Sequence, residues 1–188
     1  GVTAGPEALS RMAAATRRQL GEDTAEMFIE NDKRDGRRLT FDLRIENKTG
    51  HKFPTGYPAR RAWVHLQVSQ NRRLLFQTGS YDEDGRLLGV EDALDLPHVD
   101  VVDEPSDVVV YEMIATDPEG RPTTYLTKMA GKRKDNRLLP RGWDPAYEGI
   151  DAVAPVGLGD DANFVGGSDT VSFDIELPEG ANNVRIVA

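Results

Sequence analysis

Cysteine is absent from this chain of 188 residues. Its absence excludes disulfides, thiolate nucleophiles, thiolate zinc sites and iron–sulfur ligation. It also excludes covalent attachment of a c-type haem, which requires a Cys-x-x-Cys-His pair. We therefore expect no cofactor in this chain itself. A chain of this length can still bury one hydrophobic core without disulfides or metals to stabilise it.

Long hydrophobic runs and an excess of positive charge are also missing. No apolar segment approaches the roughly 20 residues of a membrane-spanning helix. The net charge of −9 argues against a nucleic-acid partner, because phosphate binding depends on clustered Lys and Arg. Residues 1–5 lack the basic and apolar pattern of a signal peptide, which favours a processed chain.

Hydrophobic periodicity predicts one helix followed by strands. Residues 6–20 place Leu9, Met12 and Leu20 at helical spacing, with Pro6 in the first turn. We expect this helix to lie across one end of a sheet or to run towards a preceding domain. From residue 25 onward the apolar period is two, as in half-buried strands. Strands are predicted at 25–30, 39–45, 62–68, 74–78, 107–115, 123–129, 170–177 and 182–187.

Turn signals separate the predicted strands, with hairpins expected at Asp35-Gly36 and Asn71-Arg72. Short strands without strand–helix alternation are typical of an all-β fold. We predict an antiparallel two-sheet β-sandwich, immunoglobulin-like or jelly-roll-like, over residues 25–188, with a helix and linker at 1–24. The two long irregular segments, expected to converge at one end of the sandwich, are 89–105 and 132–167.

Two segments mix backbone-restricting residues with strong hydrogen-bonding side chains. They are residues 47–58 (Asn-Lys-Thr-Gly-His-Lys-Phe-Pro-Thr-Gly-Tyr-Pro) and residues 134–143 (Lys-Asp-Asn-Arg-Leu-Leu-Pro-Arg-Gly-Trp). In a structural interpretation, Asp135 pairs with Arg60, Arg61 or Arg137, and this polar network pins one loop to the other. In a functional interpretation, the cations bind an anionic group such as a carboxylate. The candidate anion-binding and docking residues are His51, Lys52, Arg60, Arg61, Asp135 and Arg137.

Metal ligands are less clearly indicated. The three histidines have no recognisable metal spacing, and His98, in an acidic loop after a proline, is weakly placed as a ligand. Oxygen-rich loops suit calcium, although none has the ligand spacing of an EF-hand. The calcium candidates are Asp160, Asp161, Asn163 and Asp169. No nucleophile–base arrangement, Gly-x-Ser-x-Gly elbow or phosphate loop occurs, so the sequence gives no positive indication of an enzyme.

Taken together, these segments resemble the C-terminal, haem-free region of many bacterial multihaem c-type cytochromes. The resemblance rests on Thr-Gly-His-Lys-x-Pro-Thr-Gly at 49–56, on the arginine pair and aromatic at 60–63, and on Lys-Asp-Asn-Arg-Leu-Leu-Pro at 134–140. It also covers Val-Tyr-Glu at 110–112 and the Gly120 turn with its following threonines. It therefore spans the chain from Ala25 to the final strand.

The resemblance implies a place outside the cytoplasm, periplasmic or extracellular, and a partner that is a multihaem cytochrome domain or another redox protein. The c-type haem is then expected elsewhere in the full-length protein. This chain would be a haem-free accessory or docking domain that supports electron transfer by packing on the haem domain, with the helix as hinge. Haem propionates would supply anions for Lys52, Arg60, Arg61 and Arg137. The alternative is a ligand-binding β-sandwich for calcium, a carbohydrate or a small redox substrate, with Tyr57, Trp143 and Tyr147 as stacking surfaces if exposed together.

Overall fold

The computed structural model describes residues 5–57, 60–90 and 96–188. One α-helix, α1 (Pro6–Arg18), continues into a π-helical turn (Gln19–Asp23). Pro6 occupies the first turn, where its missing N–H costs no hydrogen bond. None of the α1 residues is buried, so the helix does not lie across the end of a sheet as one of the two expectations proposed.

The rest of the described chain is mainly β-structure. Its strands are β1 (Ala25–Asp35), β2 (Arg38–Asn47), β3 (Arg61–Trp63), β4 (Leu66–Gln70), β5 (Arg73–Thr78), β6 (Val101–Val102), β7 (Val110–Thr116), β8 (Gly131–Asp135), β9 (Ser168–Glu176) and β10 (Arg185–Val187). They form sheets with the strand orders β1-β2-β9-β6, β10-β4-β5 and β3-β7-β8. All pairings are antiparallel except β6 with β9. The prediction of a mostly β fold with one N-terminal helix is confirmed.

One hydrophobic core connects the sheets. The alternating residues Leu39, Phe41, Leu43 and Ile45 of β2 are all buried, as the period of two predicted. Phe41 pairs with Phe173 of β9, and the two rings stack with their centroids 4.7 Å apart. Leu66, Val68, Phe76 and Tyr111 of the second and third sheets belong to the same core, together with Val64 between β3 and β4. The predicted hairpin at Asn71-Arg72 is confirmed, since both residues take positive φ between β4 and β5.

The predicted strand at 123–129 was wrong. That segment contains a short 3-10 helix (Leu126–Lys128), and the partner of β7 is β8, in a region expected to be irregular. The reason is visible in the residues of β8, Gly-Lys-Arg-Lys-Asp, which have no apolar alternation. Lys134 and Asp135 are buried through ion pairs instead. Two smaller differences are that β1 continues to Asp35 and that β6 lies inside the predicted irregular segment 89–105.

Within the described residues, no helix is both long and apolar enough to cross a membrane.

Candidate functional site

The two loops singled out by the sequence meet in the structure. Phe53 and Leu138 exchange backbone hydrogen bonds of 2.9 and 2.8 Å. The fully buried Asn47, the last residue of β2, donates from Nδ2 to the carbonyls of His51, Leu138 and Leu139 at 2.8, 3.1 and 3.2 Å. We call this region, residues 47–57 and 134–139, the loop junction. Because its strongest links are to backbone, the junction holds the course of both loops whatever the exposed side chains do.

Asp135 lies at the centre of the loop junction. Its side chain is 1% exposed and accepts hydrogen bonds from Arg137 Nε and Nη2, at 2.7 and 2.9 Å, and from Lys52 Nζ at 2.8 Å. Lys132 Nζ lies 4.0 Å from the same carboxylate. Of the three arginines that the sequence offered as partners, Asp135 therefore takes Arg137, and Lys52 completes the arrangement across the two loops.

Burial and ion pairing have opposite effects on the pKa values of Asp135 and Lys52. Burial would raise the pKa of Asp135, but the hydrogen bonds from Arg137 and Lys52 outweigh it and hold that pKa below its usual value. Burial lowers the pKa of Lys52, and the neighbouring charges of Arg137 and Lys132 add to this effect against the attraction of Asp135. The cluster is thus a buried anion surrounded by more cations than it can neutralise.

The remaining candidates take separate positions. Arg61 Nε donates to Glu112 Oε2 at 2.5 Å, and Lys134 Nζ reaches Glu112 Oε1 at 3.2 Å, so these residues form a second, buried ion group on β3, β7 and β8. Arg60 Nη1 donates to the Thr55 carbonyl at 3.2 Å. His51 is exposed, and its Nδ1 lies 3.2 Å from Thr49 Oγ1.

The three aromatics named for ligand stacking are not exposed together. Tyr57 and Tyr147 are exposed, whereas Trp143 packs against the hydrophobic core and its Nε1 is buried. Tyr57, Trp143 and Tyr147 therefore do not form the stacking surface that was expected of these three residues.

Asn136, the residue after Asp135, connects the loop junction to a buried polar cluster. Its Oδ1 accepts from the Glu112 N–H at 2.9 Å, and its Nδ2 donates to the Val110 carbonyl at 2.7 Å. These two bonds fix the orientation of the amide. The second hydrogen of Asn136 Nδ2 then points at His98 Nδ1, 3.0 Å away, so His98 Nδ1 accepts this hydrogen bond. The proton of a neutral His98 therefore lies on Nε2.

His98 Nε2 faces Asp161 Oδ2 at 2.8 Å, with both side chains almost completely buried. Asp161 Oδ1 accepts from the backbone N–H groups of Asn163 and Phe164 at 2.9 and 3.1 Å. Asp169, which is fully buried, accepts from the Tyr111 hydroxyl at 2.7 Å through Oδ2, and its Oδ1 has no partner among the described residues.

The ligand atoms of His98, Asp161 and Asp169 lie within 4.8 Å of one another. A cation bound to His98 Nε2 would displace the proton from that nitrogen, and the neutral ring would then carry its proton on Nδ1. The Nδ1–H would face Asn136 Nδ2, which is also a donor, so the present hydrogen bond would be lost. The arrangement therefore suits a proton better than a metal held through His98. Asp160 is exposed and Asn163 Oδ1 already accepts from Thr170 N–H at 2.9 Å. A calcium site at Asp160, Asp161, Asn163 and Asp169 stays a prediction.

Sequence reasoning missed His98, Tyr111 and Asn136 as members of one cluster. They belong to three segments separated by irregular chain, and their contacts depend on how those segments meet. A usable signal existed in Asn136, because a polar residue between charged neighbours in a buried strand end must satisfy its amide internally. Nothing in the spacing of His98 indicates its partner.

We expect the contribution of Asp169 to the stability of the protein to fall as the pH rises from about 4 to above 6. Burial raises the pKa of Asp169 to about 6, and the hydrogen bond from Tyr111 and the nearby His98 only partly offset it. The folded state therefore holds a proton that the unfolded chain, with a pKa near 3.9, releases. At pH 7.5 ionised Asp169 costs up to about 3 kcal/mol relative to its neutral form. Urea unfolding across this pH range measures the slope.

The Asp169→Asn variant should remove this contribution, since its amide keeps an acceptor for Tyr111 and carries no charge. It should be more stable than wild type at pH 7.5 and similar to it at pH 4. Asp160→Asn, at an exposed neighbouring carboxylate, serves as the control and should leave the slope unchanged. A variant that is less stable than wild type at pH 7.5 would show that the ionised carboxylate is needed there.

Comparisons with known families, with curated proteins and with solved structures found no match to this chain.

Proposed function

We propose that this chain is a haem-free accessory domain of an extracytoplasmic multihaem c-type cytochrome. In this proposal its two layers of strands form a sandwich of the immunoglobulin-like or jelly-roll-like kind. The loop junction docks on the haem-bearing domain or on a redox partner and so supports electron transfer. The c-type haem belongs to the partner domain, because no cysteine is available here to attach it.

The observation that carries the proposal is the excess of cations around Asp135. Lys52, Lys132 and Arg137 surround a single carboxylate, which gives a local charge of +2 in a chain whose net charge is −9. Such a patch attracts an anion more strongly than the rest of the surface does. Haem propionates are anions of suitable size and geometry for lysine and arginine.

The rigidity of the loop junction also supports docking. The Phe53–Leu138 bridge and the three bonds from Asn47 fix both loops before any partner arrives. A preorganised surface loses less conformational entropy on binding than two free loops would. Arg137 and Lys52 are already held by Asp135 and are largely buried, so they act on a nearby anion chiefly through their charge.

Removal of the Arg137 charge should lower the reduction potential of the haem nearest to the loop junction. A positive charge close to a haem stabilises its reduced state, so Arg137→Ala should shift that potential negatively by on the order of tens of millivolts. The measurement is a spectroelectrochemical titration of the full-length protein with its cofactors, run beside Arg185→Ala. Arg185 is an exposed arginine of β10 outside the loop junction and should leave every potential unchanged.

Unfolding of both variants should be measured in parallel, so that a loss of structure is not mistaken for a lost charge. Potentials that stay the same in a well-folded Arg137→Ala protein would refute docking at the loop junction. Isolation of the full-length protein without any haem would refute the cytochrome assignment itself.

A further inference from the structure

Helix α1 has no packing partner in the described chain. Its apolar residues Leu9 and Met12 are 57% and 64% exposed, and Leu20, just after it, is 62% exposed. The three lie at helical spacing and mark one face of the helix. A 13-residue helix without tertiary contacts is marginally stable in water, where about 12–15 residues are the lower limit. Its apolar face therefore calls for a surface to cover it.

A matching surface lies along the open side of the sheets. Met27 and Ile29 of β1 pair with the buried Ile45 and Leu43 of β2, and so they point towards the core. They are nevertheless 45% and 40% exposed. The exposed Tyr81 and Val187 and the half-buried Trp63 lie on the same side. We call Met27, Ile29, Trp63, Tyr81 and Val187 the apolar flank.

The apolar flank is concave. Two cavities of about 560 and 660 Å³ adjoin there and share Met27, Ala62, Trp63 and Ala188 in their walls. The first cavity begins at Leu20 and Glu22, where the helical segment joins the sheet. The second continues to Tyr81 and Gly85. Together they form one groove along this side of the sheets, with Met27, Ala62, Trp63 and Ala188 where the two cavities join.

Charge distinguishes the helix from the groove. Residues 6–18 contain Arg11, Arg17, Arg18 and Glu7, so their net charge is +2. Because the whole chain has a net charge of −9, all other residues together carry −11. Glu22 and Glu26 line one end of the groove, with Lys48 3.5 Å from Glu26. Tyr81 and Gly85, which flank the acidic residues 82–84 in the sequence, line the other end. A basic helix and an acid-rimmed apolar groove are complementary in both charge and polarity.

We propose that two copies of this chain exchange their N-terminal helices, with α1 of each copy lying in the apolar flank of the other. The two contacts are then equivalent by twofold symmetry, which gives a closed dimer. The exchange covers both exposed apolar surfaces at once and places Arg11, Arg17 and Arg18 near the acidic rim. A second copy of this chain is the occupant with the required charge and shape, because every copy carries both the helix and the groove.

Sedimentation or light scattering of the whole chain tests this exchange. We expect a species of twice the monomer mass of 20.7 kDa that dissociates on dilution and more readily at high salt. Met12→Glu on the helix and Met27→Glu in the apolar flank should each give monomers. Both side chains are exposed, so each variant should fold, as circular dichroism can verify. Leu74→Glu, at an exposed apolar residue of β5 outside both cavities, should remain dimeric.

Mixing the two variants provides the decisive measurement. The Met12→Glu copy keeps an intact apolar flank, and the Met27→Glu copy keeps an intact helix, so one of the two contacts can form. The mixture should therefore contain dimers that neither variant forms alone. Wild-type chain that stays monomeric at all concentrations would overturn the proposal. Dimers that resist either substitution would also overturn it, because helix–helix or flank–flank pairing would then be the contact. A mixture that stays monomeric at concentrations where wild type is fully dimeric would overturn it as well, because the one intact helix–flank contact would then not hold two copies together.

Discussion

Gly79→Ala should destabilise the protein by more than about 4 kcal/mol, or prevent folding altogether. Gly79 has φ of +64°, and a Cβ placed there would lie 1.9 Å from the Val64 carbonyl oxygen and 3.3 Å from the His65 Cα. These are backbone atoms, so no rotamer change can relieve the overlap. Chemical unfolding, or the soluble fraction if the variant does not fold, measures the effect.

The overlap would spread to the contacts on either side. Val64 N–H donates to the Val109 carbonyl at 3.0 Å, and the Trp63 indole donates to the Gly79 carbonyl at 3.2 Å. A shift of the chain at residue 64 would strain both bonds at the break between β3 and β4.

Gly85→Ala is the matched control, because Gly85 also has positive φ but nothing within 4 Å of the added carbon. It should show only the backbone cost of roughly 1–2 kcal/mol. Equal stability of the two variants would mean that the chain at residue 64 can move freely.

Sequence periodicity was sufficient wherever burial follows apolar alternation. Strand β2 is the clearest case, since its inward residues from Leu39 to Ile45 are apolar and the residues between them are polar. The same rule failed for β8, whose buried residues are Lys134 and Asp135. Their burial depends on Glu112 and Lys52, which lie elsewhere in the sequence, and on Arg137, two residues after Asp135. A charge buried through distant partners has no local periodicity.

The candidate site, like the fold, could be predicted from the sequence only in part. The composition of the two loops indicated that Asp135 would pair with an arginine, because Gly and Pro restrict the loops around it. The identity of the partners was not accessible, since Arg61 was as reasonable a choice as Arg137 and pairs with Glu112 instead. The helix was recognised by its spacing, but an amphipathic pattern does not reveal whether its apolar face is covered within the same chain.

Asp135→Ala should destabilise the protein by about 3–5 kcal/mol, the cost of leaving buried cations without a counterion. The side chains of Lys52 and Arg137 are only 12% and 17% exposed, so water can replace the carboxylate poorly. Asp174→Ala removes an exposed carboxylate that pairs with Arg38, and it should have little measurable effect. Urea unfolding at pH 7 compares the two. Similar losses for both would mean that solvent screens the Asp135 cluster as well as it screens the surface pair.

A double-mutant cycle with a second substitution at Lys52 separates the effect of the lost ion pair from the effect of lost packing. If the cost of Asp135→Ala comes from an uncompensated ammonium group, then Lys52→Met in the same chain should recover part of it, because a buried thioether needs no counterion.

The pH dependence gives an independent check. Since pairing holds the pKa of Asp135 below its unfolded value, its contribution is present above about pH 4 and is lost as the pH falls through the folded pKa. Wild type should lose this stability in acid, and Asp135→Asn should not, which is the opposite sign to the effect expected at Asp169.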